Sequence, residues 1–476
     1  MTPSRPFLLV ALLAVLGGCS QVPPLPGTTG DMALPGAWTT ADAAIKPATT
    51  PDLSSWWRQL GDPVLDQLIE RALSSAPDMR TAQARLKQVR ASRDLAVAGL
   101  FPSLGASASV KRTRTGTAAA GSGASQTLYS AGFDASWEPS IFGGQRDAAS
   151  GAEADLVASG ATLDATRVSL AAEVALEYVT LRTYQQRLAI ARDNAASQAE
   201  TLQITDWKRQ AGLATSLDVE QARSNLEQSR ASIPSLEVGR AAAEHRLALL
   251  TGQPPGSLRE LLQKIRPLPA PPDEVAVGIP ADTIRQRPDV RAAEFALRGE
   301  IARSAEARAA RYPSLTLSGS WGWQAFSTTA LGGSDTLVRS LAGSLAATLF
   351  DGGRISARIA AQDAVEEQTL VAYEASILTA LEDVENALAS YAAGRERLES
   401  RRRAAESARN AALLARTLYE AGSADFQKVL DTDRTRLTAE DGLASAEGDL
   451  LAAVVKLYKA LGGGWQAGGE TTDAQS

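Results

Sequence analysis

The side chains that most often carry chemistry are nearly absent from this chain of 476 residues, which has one cysteine, Cys19, and one histidine, His245. A single imidazole cannot build a His-based metal site or a Ser-His-Asp triad within one chain. A single thiol cannot form an internal disulfide. No glycine-rich phosphate loop and no paired-carboxylate site stands out, so the reading is not an enzyme. His245 reads as a helix-surface residue. Acidic and basic residues are mixed along the chain with a net charge of −6, which leaves no basic patch for nucleic acid. The run Arg395–Arg403 reads as a solvated, ion-paired helix face, with a docking patch as the alternative. What remains is one thiol in an unusual place and some solvated acids near helix ends.

The thiol comes first. Arg5, an apolar run from Phe7 to Val15 and then Leu16-Gly17-Gly18-Cys19 read as a secretory signal. The run is too short to span a bilayer, which takes about 20 apolar residues. Leu-Gly-Gly-Cys resembles the bacterial lipobox. That resemblance implies a signal peptide over 1–18, cleavage before Cys19, and a covalent lipid on Cys19 as the new N-terminus. Ser20, rather than Asp, at the next position matches lipoproteins forwarded to the outer membrane. The alternative is an ordinary small residue in an uncleaved signal. Such acyl chains add membrane affinity without making a pore, and no other cofactor is expected. A Pro/Gly/Thr-rich stretch to about Asp52 reads as an extended strap without a core. The lipidated N-terminal segment is bounded at 19–60.

The elements that follow are written twice. Pro77-Asp78 returns as Pro288-Asp289 and Phe101-Pro102-Ser103-Leu104 as Tyr312-Pro313-Ser314-Leu315; the steps from 77 to 288 and from 101 to 312 are both 211 residues. Leu250-Thr251-Gly252 returns as Leu461-Gly462-Gly463, and Gly212 returns near the same spacing as Gly422. A period this long reads as duplication of a half-molecule rather than a solenoid. The first repeat is assigned to 61–252: a helix, strands at 103–111 and 128–138, a long helix at 146–211 and a helix at 216–250. The second is assigned to 281–463: a helix, strands at 314–323 and 341–350, a long helix at 354–421 and a helix at 425–461. A Pro-rich connector, 253–280, joins them, and 464–476 is a C-terminal tail.

The strands show themselves by alternation. Leu104, Ala106, Ala108 and Val110 oppose Ser103, Gly105, Ser107 and Ser109, and Tyr129, Ala131, Phe133, Ala135 and Trp137 oppose Ser130, Gly132, Asp134 and Ser136. Period 2 gives each strand one apolar and one wet face. The long helical stretches lack proline, and at 1.5 Å per residue each would be roughly 100 Å long. Leu170, Val174, Leu181, Tyr184 and Leu188, like Leu370, Ile377, Leu381, Val384, Leu388 and Tyr391, keep coiled-coil spacing. The fold class is thus mixed α+β: long coiled-coil helices plus four β-strands.

Four amphipathic strands leave two unpaired edges, which hydrocarbon does not tolerate. Strands of about ten residues match a tilted outer-membrane strand, and closed membrane barrels need at least eight. Only further copies of the chain can close the sheet, and three copies give twelve strands. The alternative is an amphipathic sheet capping a soluble core. The polar faces carry mostly Ser, Thr, Ala and Gly, which leaves a lumen open.

At this point the sequence resembles the outer-membrane efflux channels of the TolC and OprM type, specifically the NodT-like outer membrane factor lipoproteins. The marks are Trp57 with Asp62-Pro63, Arg287-Pro288-Asp289-Val290, Tyr312-Pro313-Ser314-Leu315, Leu349-Phe350-Asp351-Gly352-Gly353-Arg354, Tyr419-Glu420-Ala421-Gly422 and Leu457 to Trp465. The resemblance implies a homotrimer in the cell outer membrane, with a twelve-stranded transmembrane β-barrel continuous with a twelve-helix periplasmic α-barrel. It implies partners: a periplasmic adaptor, an inner-membrane efflux pump and outer-membrane lipid. It also implies a gate at the periplasmic tip. The family's gate motif falls on residues 427–434, where Asp431 aligns with the constriction aspartate and Arg434 with the arginine that braces it. Gln427 stands where those members often carry leucine, and Lys428 where the TolC type has a second acid. Asp218 aligns with the acid that tethers the tip and Tyr419 with the tyrosine that meets it. A passive duct for small molecules, drugs or other toxic compounds is the expected function. The competing reading is a lipid-tethered periplasmic coiled coil without a pore. The transported substrate is not encoded in this chain.

Overall fold

The computed structural model describes residues 35–40, 45–47, 53–114, 125–272 and 275–465. Cys19, the signal peptide, most of the strap and the tail beyond Trp465 lie outside the described residues. The described chain runs β1 (Ile45–Pro47), a 3-10 turn (Trp56–Leu60), α1 (Pro63–Ser75), α2 (Pro77–Ala98), β2 (Ser103–Arg114), β3 (Ser125–Trp137), α3 (Gly144–Gln210) and α4 (Ser216–Leu250). The connector holds α5 (Arg259–Leu262) and β4 (Val275–Val277); the second repeat holds α6 (Pro280–Gln286), α7 (Pro288–Ala309), β5 (Ser314–Ala325), β6 (Leu337–Ala346), α8 (Arg354–Glu420) and α9 (Phe426–Ala460). No helix among the described residues is long and apolar enough to cross a membrane.

The chain divides into two compact units, one of which gathers Leu86–Ser159 and Ala292–Glu374. Its centre is a four-stranded antiparallel sheet in the order β2-β3-β5-β6, so β2 and β6 are its edges. The register puts Ala106, Phe133, Trp321 and Arg339 in one row and Ala108, Ala131, Trp323 and Leu337 in the next. Alternation therefore sums over four strands into one apolar face. On it Phe133 stacks on Trp321 at 6.1 Å between ring centres, and Trp321 meets Trp323 at 5.3 Å. The opposite face is tied by hydroxyls: Ser109 with Ser130 and Ser320 with Ser340, both at 2.8 Å, and the Ser107 hydroxyl donating to Asp134 at 2.8 Å. Where β3 and β5 cross most closely, Gly132 faces Gly322, and a Cβ at Gly132 would come within 2.8 Å of the partner backbone.

The strand limits differ from the sequence reading most at β6, which spans Leu337–Ala346 rather than 341–350. Arg339 stands at an apolar-face position and interrupts the alternation that would have extended the strand upstream. At the other end Leu349 and Phe350 are 96% and 91% exposed in the single chain, having left the ladder. In the helical part of this unit Arg303 pairs with Asp155 at 2.7 Å and Arg308 with Asp363 at 2.7 Å. These are partly exposed pairs of modest worth.

The other unit gathers Leu34–Arg85, Gly160–Arg291 and the chain from Ala375 onward. Leu170, Val174, Leu181, Leu188, Ile377, Val384, Leu388 and Tyr391 are all buried, as a coiled-coil seam requires. Small residues allow close approach: a Cβ added at Gly239 of α4 would lie 2.5 Å from the Tyr184 ring of α3. Pro234 lies inside α4, which continues through it. β1 pairs in parallel with β4, linking the strap to the connector. Beyond Asp52, where the coreless stretch ends, the chain acquires a core. Leu53, Trp56, Trp57 and Leu60 are buried, and Trp56 stacks on Tyr458 at 5.2 Å. Two tryptophans and two leucines bury enough apolar surface to hold a short turn in place.

The family marks have local explanations. Asp62 caps α1 by accepting from the Val64 amide at 2.9 Å, and Pro63 occupies the first helical position. Tyr178 donates its hydroxyl to the same carboxylate. Pro288 likewise opens α7. The preceding Arg287, with only 8% of its side chain exposed, pairs with both Asp289 and Asp383.

Candidate gate at the helical hairpins

Two helical hairpins, α3–α4 and α8–α9, turn in the same way. α3 ends in left-handed Gly212, and the Leu213 amide donates to the Lys208 carbonyl at 2.7 Å; α8 ends in left-handed Gly422, and the Ser423 amide donates to the Leu418 carbonyl at 2.8 Å. This is the Schellman closure that glycine favours. The restarts differ. α4 begins with a capping box in which Thr215 and Asp218 bond reciprocally: the Thr215 amide donates to Asp218 Oδ2 at 2.8 Å and the Asp218 amide to Thr215 Oγ1 at 3.2 Å. α9 begins at Asp425 with no side-chain cap bond. A missing cap is worth about 1 kcal/mol, so the α9 hairpin is the less firmly held of the two.

Gln427, Asp431 and Arg434 follow at helical spacing on α9 and form one exposed stripe. Gln427 donates to Asp431 Oδ1 at 3.2 Å. Arg434 donates to Gln228 Oε1 of α4 at 3.2 Å. The structure thus brings Asp431 and Arg434 onto one face, but the bond Asp431 receives comes from Gln427, while Arg434 links α9 to α4. Lys428 is exposed one step round the helix. The inner side of α9 packs Phe426 and Leu430 with Ala222 of α4, flanked by Leu202 and Tyr419.

Tyr419 lies at the junction of these elements. Its ring meets Phe426 at 5.4 Å, and Lys208 Nζ stands 3.7 Å from the ring centre, a cation–π contact. Burial raises the phenol pKa; a hydrogen bond with Thr205 opposes this and the nearby Asp218 charge adds to it. Asp218 therefore lies within electrostatic reach of Tyr419, with its carboxylate engaged in the capping box.

A charged cluster beside this stripe escaped the sequence reading. Arg436 donates to buried Asn194 at 2.7 Å and stands 3.8 Å from Asp433, while Arg416 bonds Glu200 at 2.9 Å and Glu420 at 3.4 Å. Burial pushes the Asp433 carboxyl pKa up, outweighing Arg436 and Arg416, which lower it. The spacing of Asp433 and Arg436 was visible, but the partners on α3 and α8 lie more than two hundred residues away or on another helix. Among the described residues no group of three or more His, Cys, Asp or Glu side chains could hold a metal ion.

With this geometry in view, the relationships to known proteins are unambiguous. The model of the outer membrane efflux protein family matches twice, over residues 68–253 and 279–463, and the two matches begin 211 residues apart. The pyoverdine export outer membrane protein OpmQ of Pseudomonas aeruginosa is 33% identical over 469 residues, covering 96% of this chain and 97% of that protein. Nodulation protein T of Rhizobium leguminosarum bv. viciae is 30% identical over 431 residues, covering 90% of this chain and 88% of its own. The solved outer-membrane channel OprN superposes with a TM-score of 0.86 at 36% identity, covering 91% of this chain and 98% of that one. The chain belongs to the outer membrane efflux protein family. It is an outer-membrane protein that extends into the periplasm, in a family of efflux ducts rather than enzymes.

Proposed function

We propose that this protein is the passive outer-membrane duct of a tripartite efflux system, carrying small molecules delivered by an inner-membrane pump through a periplasmic adaptor. The observation that carries the reading is the open sheet: four antiparallel strands with one apolar face, one hydroxyl-lined face and two unpaired edges, β2 and β6. Three copies would join β6 of one to β2 of the next, closing twelve strands and removing every edge. The apolar face then meets lipid, and the serine-rich face lines a wet lumen. The helices of three copies form the periplasmic tunnel, and Asp431 of each contributes to a carboxylate ring at its constriction, which admits cations in preference to anions. Gln427, Lys428 and Arg434 surround that ring, and Asp218 and Tyr419 hold the hairpins behind it. Cys19 carries the lipid that anchors the N-terminus. The duct contributes no chemistry of its own. Relatives named for pyoverdine export and toluene efflux support small toxic or secreted compounds as the cargo class.

The test is the mass of the detergent-extracted protein by light scattering with detergent subtraction, followed by conductance in planar bilayers. A trimer that conducts supports the duct. A monomer released without detergent overturns it.

A further inference from the structure

The apolar face of the sheet is not apolar to its end. β2 pairs with β3 without interruption as far as Arg114 opposite Ser125, so Arg112 and Arg114 continue the face of Leu104, Ala106, Ala108 and Val110. The Arg112 guanidinium donates from Nε to Ser125 Oγ at 3.2 Å, which places it on that side. Arg339 pairs with Trp321 and shares the face of Leu337 and Leu341. Three guanidiniums thus occupy this face, and no carboxylate does: Asp134, the only acid within the four strands, lies on the hydroxyl face. Asp335, just before β6, accepts from Ser334. The Arg114 and Arg339 side chains are exposed, with no side-chain hydrogen bond or ion pair among the described residues.

Their position along the strands is equally specific. Arg112 is two residues from the end of β2 and Arg339 two residues from the start of β6, at the strand ends remote from the helical segments. A charge facing hydrocarbon is costly at mid-bilayer, and the cost falls away near the interface. Tyr129, Trp321 and Trp323 occupy the same half of the sheet, as an interfacial aromatic belt does. β2 and β6 are also the two edges, so closing the ring sets Arg112 and Arg114 of one copy and Arg339 of the next on adjacent strands.

We propose that Arg112, Arg114 and Arg339 form a docking surface for phosphorylated lipid headgroups of the outer leaflet, one across each junction between copies. The planar guanidinium matches phosphate oxygens bidentately, and an apolar wall directly below the charges suits the acyl chains of the same molecule. The inference rests on the barrel reading given above.

The experiment uses the intact protein in detergent with bisphosphorylated lipid A, lipid A stripped of both phosphates, phosphatidylcholine or inorganic phosphate, scored by native mass spectrometry and thermal shift. The wild type should retain the bisphosphorylated form about tenfold or more better than the stripped form, since each basic residue near an anionic surface adds severalfold. Arg112→Gln/Arg114→Gln/Arg339→Gln should lose the preference while keeping its oligomeric mass, and Lys111→Gln on the opposite face should keep it. Equal retention of both lipid A forms, or an undiminished preference in the triple variant, overturns the inference. A shift reproduced by inorganic phosphate alone marks a free-anion site and overturns it too. A wild type that is not a trimer removes the barrel reading and the inference with it; a trimer without the preference removes the inference alone.

Discussion

The Arg287 guanidinium stands 2.9 Å from the Asp383 carboxylate, and its other bonds reach Asp289 at 2.6 Å and the Ala460 carbonyl at 3.0 Å. One side chain therefore ties the start of α7 to the middle of α8 and the end of α9. Arg287→Met should lower stability by about 2 kcal/mol, below the cost of breaking a fully buried pair because both carboxylates are half exposed. A fall in the thermal midpoint of the purified protein checks this.

The same cluster sets an acid dependence. Burial pushes the Asp289 pKa up, but the bond and charge of Arg287 outweigh it, and the net shift is downward. A depressed carboxyl contributes stability above its ordinary value near 3.8, and that contribution is lost as pH falls through the folded value. Denaturant midpoints measured between pH 6 and pH 3 should therefore drop less steeply in Arg287→Met than in the wild type.

Gly239 faces the Tyr184 ring with no room for a side chain. Gly239→Ala should destabilise the α3–α4 contact by about 1–3 kcal/mol through overpacking. Pairing it with Tyr184→Ala should recover part of the loss, a coupling visible in a double-mutant cycle. Strict additivity of the two changes would show that the helices separate rather than clash.

Asp433 carries the opposite sign to Asp289. Its raised pKa means that the folded protein holds the proton more tightly than the unfolded chain does, so this carboxyl destabilises at neutral pH and the penalty vanishes as pH falls below the ordinary value. Asp433→Asn should raise the thermal midpoint at pH 7 and leave it unchanged near pH 3. A variant less stable than wild type at pH 7 would assign the residue to ion pairing with Arg436 instead.

At the exposed stripe, Asp431→Ala should reduce the cation preference of the reconstituted channel and raise its resting conductance. Arg434→Ala should also raise conductance by releasing Gln228, but leave selectivity closer to wild type. Single-channel recording with asymmetric salt separates the two effects, and unchanged selectivity in Asp431→Ala would remove it from the constriction.

Much of this architecture could be read from residue types because its periodicities are strict. Alternation from Leu104 to Val110 and from Tyr129 to Trp137 marks strands with one apolar and one polar face, and the proline-free stretches mark the long helices. Where one residue broke the period, as Arg339 does in β6, the strand was misplaced by four residues. The pairing of Ile45 with Val275 and the burial of Trp56 against Tyr458 depend on contacts between distant segments of low regularity, which leave no local pattern. For the candidate gate the sequence offered positions and no bonds. The resemblance supplied Gln427, Asp431 and Arg434 as positions, the structure sets them on one exposed stripe of α9, and the choice of Gln228 by Arg434 has no trace in the sequence of α9.

The pairing of β3 with β5 joins Tyr129 to Ala325 and Trp137 to Leu317, residues nearly two hundred positions apart, whereas β2–β3 and β5–β6 are local hairpins. Such separation makes the central pairing late, because the entropy of closing the long intervening loop is lost before the contact forms. Without the second repeat, the first hairpin has an apolar face and no partner for the outer edge of β3. Even the finished sheet still presents β2 and β6 unpaired. The topology thereby orders the sheet: hairpins, then the seam between repeats, with β2 and β6 left as open strand edges at the end.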